Sequence, residues 1–181
     1  TMTALLTHVA RLRNVTGYNV ESWVTTVEDK LADIGIVTIK MLLSEIMTVN
    51  RKLTQFGSSQ MYVQTLNFMA HKGVEMSVGS GPPYAPNDGA MLLFLEAVAK
   101  SRGVTGSAIG LWVNKVHGKL CTIGATSIET TVSGIMVLNQ KLQAANLSSM
   151  HGKTLDAMAR EGVAALFSIQ EPAQVDAPST D

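Results

Sequence analysis

His117 and Cys121 stand four residues apart, the spacing at which one helix face presents two side chains together. They are the nearest thing in this sequence to a pair of metal ligands, yet a structural or catalytic zinc takes at least three protein ligands. His71 has Glu75 at the same spacing, also a pair without a third ligand, and His8 and His151 have no His, Cys or carboxylate three or four residues away. Nucleophilic chemistry is no better supplied. There is no Gly-x-Ser-x-Gly elbow, and Gly79-Ser80-Gly81 is followed by Pro82-Pro83 rather than by the Lys-Ser/Thr of a phosphate loop. Cys121, the single cysteine, reads as a small buried side chain and leaves the redox compartment open.

Basic residues behave differently, and they show how the chain is built. Shifting the sequence against itself by 89 positions aligns residues 1–74 with 90–163 without a gap, and 30 of the 74 pairs are identical. Trp23-Val24, Val27, Lys30-Leu31 and Ile34-Gly35 recur as Trp112-Val113, Val116, Lys119-Leu120 and Ile123-Gly124. The chain therefore reads as a tandem duplication. If each copy carried its own active site, its chemical groups should recur, but no Asp or Glu is shared between the copies. Arg13/Arg102 and Lys30/Lys119 are shared, and they are the residues expected to meet a partner. Arg13-x-Val15-Thr16-Gly17 recurs at a turn, where the arginine either binds a partner or pairs with helix-end carbonyls. No catalytic, metal-binding or cofactor-binding residue is expected, and the chain is not expected to be an enzyme.

The elements that must position these groups read as helices throughout. Apolar positions 23, 24, 27, 31 and 34 fall on one helical face, as do their counterparts. Gly35 and Gly124 then stand where a left-handed helix end is wanted, and Thr38 and Ser127 can cap the next helix. Gly57 and Asn146 differ, but both residue types tolerate that backbone conformation. Ser59 and Ser148 are read as caps of a last helix carrying Met61, Leu66, Met69 and Ala70, closed by Gly73. The fold class expected is all-α: two tandem modules of about five short helices, at 1–76 and 90–166. Between them, 77–89 is rich in Gly and Pro and reads as a linker, and 167–181 as an acidic tail. Fully extended, 13 linker residues reach about 45 Å, enough for many arrangements of the modules. Trp23 and Trp112 are taken as the anchors of the two cores, although a tryptophan could also serve as a ligand platform.

Glu28-Asp29-Lys30-Leu31, Ile34-Gly35-Ile36 and Leu42-Leu43 with Ile46 resemble the end of a SAM-type domain. The same stretch, with Met61 to Gly73 after it, is also similar to small helix-hairpin-helix modules. About 45 residues of each copy are covered. The second copy departs from both patterns, with His117-Gly118 in place of the acidic pair. A DNA-binding hairpin would also need a Gly-x-Gly turn, and Ile36-Val37 or Ala125-Thr126 follows the lone glycine instead. The resemblance therefore implies a compact helical fold used for protein association, without implying DNA binding.

Composition narrows the function classes. Of 181 residues 46% are apolar and only 15% charged, with 14 basic against 14 acidic side chains. That excludes a disordered, collagenous or disulfide-built chain, and no run is long and apolar enough to span a bilayer. Residues 1–74 carry seven basic and five acidic groups and 90–163 seven and four, so neutrality is restored by the linker and tail. Residues 103–114 and 142–152 hold no charge at all, the composition of a surface meant to be covered. The function expected is a non-catalytic interaction or scaffold subunit whose partners are other protein subunits. The alternative is a nucleic-acid binder, and an enzyme would need one diverged site between the copies. No signal peptide is read, which favours an intracellular or organellar setting over secretion.

Overall fold

The structure, a computed structural model, describes residues 1–78 and 88–168, and among them all regular structure is helical. The first part holds α1 (Met2–Leu12), α2 (Asn19–Asp33), α3 (Ile39–Ser44), α4 (Val49–Phe56) and α5 (Val63–Val78). The second holds α6 (Asp88–Ser101), α7 (Ala108–Thr122), α8 (Ile128–Ser133), a 3-10 turn (Ile135–Val137), α9 (Leu138–Ala144) and α10 (Gly152–Ser168). Helices α5 and α6 reach into the segment read as a linker, whose residues 79–87 lie outside those described. The expected tail lies outside them from residue 169.

Local chemistry sets most helix ends. Helix α2 stops at Gly35, φ +83°, where the amide of Ile36 reaches back to the Leu31 carbonyl at 2.8 Å. That 6→1 hydrogen bond closes the helix through a left-handed residue. Gly124, φ +79°, ends α7 in the same way, with Ala125 bonded to Leu120 at 2.9 Å. The hydroxyl of Thr38 accepts from the Met41 amide, and that of Ser127 from Thr130, both at 3.1 Å, so each caps the helix that follows. Gly57 (φ +90°) and Asn146 (φ +57°) both adopt the left-handed conformation. The segment carrying the SAM-like and helix-hairpin-helix resemblance thus folds as the end of α2, the Gly35 turn and α3.

Three expectations give way at the last helix. Ser59 and Ser148 do not cap it, because α5 begins at Val63 and α10 at Gly152. Their hydroxyls instead accept from Lys30 and Lys119, each at 2.5 Å. Gly73 does not close α5, which runs five residues further, to Val78. It lies inside the helix because a side chain there would strike a neighbour: a Cβ would come 2.9 Å from Leu43 Cδ2.

The core is aliphatic. Leu5, Leu6, Leu31, Leu53, Met69 and Leu95 are among its fully buried side chains, and one continuous cluster joins both parts of the chain. Trp23 and Trp112 are half-buried and pack against this cluster from its margin rather than anchoring its centre. An indole is too large to be enclosed by helices this short while its N–H seeks water. Cys121 is exposed, not buried, since it lies on the outer face of α7, away from Val113, Val116 and Leu120.

A second cluster makes the seam. Leu43 of α3, Val74 of α5, Val132 of α8, and Val163 and Leu166 of α10 are buried together, flanked by Ile39, Val78, Ile128 and Phe167. Helix α5 packs across onto α8 and the 3-10 turn, and α10 packs across onto α3. Burying each such side chain is worth about 1.5–3 kcal/mol before the cost of ordering it. The seam therefore joins the two parts as hydrophobic packing, and Lys40 Nζ lies 5.5 Å over the Phe167 ring at its edge.

Candidate cationic cleft

The basic residues expected to meet a partner have separate fates. Lys30 is spent on the loop before α5, donating to the hydroxyl and carbonyl of Ser59 at 2.5 and 3.2 Å. Lys119 does the same to Ser148 at 2.5 and 3.1 Å. Arg13 leaves the end of α1, donates to the Gln64 side chain and lies 5.5 Å over the Tyr62 ring. All three tie a loop or a helix start to the body of the protein.

Arg102 opens onto a cavity. Its Nε donates to Thr154 Oγ1 at 3.1 Å, which aims the guanidinium along the first turn of α10. There it lines a cleft of about 600 Å³ with His151, Gly152 and Lys153. The rest of the lining comes from the other part of the chain, where α4 contributes Arg51 and the turn before it Met47 and Thr48. Asp156 lies in the same cleft, but its carboxylate pairs with Arg160 at 3.2 Å. Among the described residues, neither Arg51 nor Lys153 has a carboxylate partner. Three basic residues thus line one solvent-filled space, a local excess of positive charge that favours an anion.

Sequence comparison between the copies passes over Arg51 because position 140 is Gln. The same filter passes over Lys153, opposite Gln64, and His151, opposite Tyr62. A requirement that groups recur at the 89-residue offset cannot find a cleft lined by residues without such counterparts. The signal that could have found it is the reverse: basic residues with no basic residue at that offset.

A smaller cavity, of about 170 Å³, lies where α5 meets the second part of the chain. His71 borders it, with Thr130, Thr131, Gly134 and Lys141. Partial burial, and then the Lys141 ammonium, hold the His71 pKa below its usual value, favouring the neutral ring. Eighty-nine residues earlier, Glu45 pairs with Lys52, and Gly134 stands in place of that glutamate.

Asn50 and Asn139 were also not singled out in sequence, although both copies carry them. Asn50 donates to the Met61 carbonyl at 2.8 Å and accepts from its amide at 2.7 Å. Asn139 does the same to Met150 at 2.9 and 2.8 Å. No group of three or more His, Cys, Asp or Glu among the described residues is placed to hold a metal ion, and His117 and Cys121 stay a lone pair on α7. Among these residues no helix is long and apolar enough to cross a membrane. Comparison with protein-family models, curated proteins and solved structures finds no match to this chain.

Proposed function

We propose that this chain is a non-catalytic interaction subunit, formed by tandem duplication of a five-helix module, which docks other protein subunits through uncharged helical surface. The duplication reading rests on the 89-residue offset in sequence. It is supported by contacts that recur at that offset, Lys30 with Ser59 and Lys119 with Ser148 among them. Packing one module on the other supplies the core that a chain of about 75 residues lacks by itself.

The observation that carries the docking reading is the surface over residues 103–114. This stretch has no charge, and it forms the turn and first helical turns of α7. Leu111 stands 75% exposed there, between Ile109 and Trp112 on the core side. In the first module Tyr18, at the start of α2 and opposite Ser107, is fully exposed. Uncharged surface with large apolar side chains gains most from being covered.

Light scattering coupled to size-exclusion chromatography, with native mass spectrometry of chains that co-purify, tests this. Defined complexes or self-association, weakened by Leu111→Ser with no loss of thermal stability, are expected. A monomer at every concentration with no stoichiometric partner would sink the reading. The second reading, a nucleic-acid binder, draws support from the cationic cleft and requires salt-dependent binding of an oligonucleotide.

A further inference from the structure

We infer that the cleft between Arg51 and the start of α10 is a binding site for a phosphomonoester group. Arg51 comes from the first part of the chain, Arg102 and Lys153 from the second, and all three line the cleft. Two guanidinium forks and an ammonium make a donor set suited to a compact, multiply charged oxyanion. Carboxylates and phosphodiesters bring a single negative charge each. A terminal phosphate brings about −1.5 to −2 near pH 7 with three acceptor oxygens, closer to what three unpaired cations require. Asp156, the one acid in the cleft, pairs with Arg160 at 3.2 Å, which offsets part of its charge, and three cations outnumber it there. The volume of about 600 Å³ exceeds what phosphate alone fills and lies in the range of small-molecule sites. The cleft therefore has room for a phosphate attached to a larger body.

The residues 89 positions away show what an occupied version looks like. Arg13 is held by Gln64 and covered by Tyr62, and Gln140 stands where Arg51 would. At the 89-residue offset His151, Gly152 and Lys153 stand in place of Tyr62, Val63 and Gln64. These changes take away the ring and amide that engage Arg13 and add a cation, and Arg51 supplies another. This site is independent of the docking reading, because it needs neither Leu111 nor a partner chain.

The test is an amide-resolved NMR titration of the full chain with inorganic phosphate, a phosphoserine peptide and a sugar phosphate. Acetate and the unphosphorylated peptide and sugar serve as controls. Saturable shifts confined to residues around 51, 102 and 151–153 are expected for all three phosphorylated probes, and the tighter organic probe identifies the source. Arg51→Gln and Gly152→Val should each weaken binding at least tenfold, while Arg13→Gln leaves it unchanged. The Gly152 variant touches no charge and has open space for its side chain, so it reads the cleft without threatening the fold. Equal binding of acetate, absence of saturation, or equal loss in Arg13→Gln would overturn the inference. So would tighter binding of an oligonucleotide lacking terminal phosphates, which would assign the cleft to a nucleic-acid strand.

Discussion

Gly162 lies against Val132 so closely that a Cβ at position 162 would stand 2.5 Å from Val132 Cγ2. The same Cβ would lie 3.4 Å from Phe94 Cε2 and 3.5 Å from Ile128 Cγ2. Helix α10 can therefore cross α8 only with hydrogen at that position. Gly73 plays the same part toward Leu43, with more room, at 2.9 Å.

Gly162→Ala should destabilise the chain. Overpacking a tight core costs about 1–3 kcal/mol, and the better helix propensity of Ala returns about 1 kcal/mol. A net loss of up to about 2 kcal/mol in urea unfolding is expected. Gly73→Ala should cost less, because a leucine methyl swings aside more easily than a β-branched valine. Adding Val132→Ala to Gly162→Ala should cost less than the sum of the two single changes, since it removes the colliding methyl. Strict additivity would show that the contact does not limit the crossing.

Asn139→Leu should lower stability by about 1–3 kcal/mol, because it strips both hydrogen bonds from the Met150 backbone where that loop is partly buried. Asn139→Asp keeps the acceptor for the Met150 amide but faces its carbonyl with a carboxylate, so it should be no better. Amide hydrogen exchange at Met150 checks this directly. Protection unchanged in either variant would show that the loop is held by something else.

His71 makes stability depend on pH. Its pKa is lowered in the folded chain, so the unfolded chain binds the proton more readily. The stabilisation from keeping the ring neutral is fully present above the unfolded value of about 6.5. It is lost as pH falls through the lower folded value. Melting temperature should therefore drop between pH 7 and 5, and less so in His71→Gln. Lys141→Met removes one cause of the shift, so the His71 pKa measured by NMR should rise. A pKa unchanged by that variant would leave burial as its sole origin.

Lys119→Met should cost at most about 1 kcal/mol, the range of an exposed charge-assisted hydrogen bond. It should leave phosphate binding unchanged, because Lys119 is engaged with Ser148 and lies outside the cleft. Thermal unfolding beside the NMR titration separates the two effects. A loss of phosphate affinity with unchanged stability would move Lys119 into the site.

Helix ends were legible in sequence because they are decided within a few residues. Gly35 and Gly124 take positive φ where a side chain would be strained, and Thr38 and Ser127 cap amides three residues on. The all-helical class followed from apolar spacing for the same local reason. Gly73, Ser59 and Ser148 defeated that reasoning because their partners lie 29 or 30 residues away, in Leu43, Lys30 and Lys119. A glycine at a helix crossing looks no different in sequence from one at a helix end. Trp23 and Trp112 looked like anchors by size and repetition, and only the packed helices decided that leucine and methionine fill the centre. The cleft is the extreme case. Arg51 and Arg102 are 51 residues apart and line one cavity only because α5 and α10 cross the seam onto each other's neighbours. Backbone sterics and capping act locally and are written residue by residue, whereas charge proximity is a property of the assembled surface.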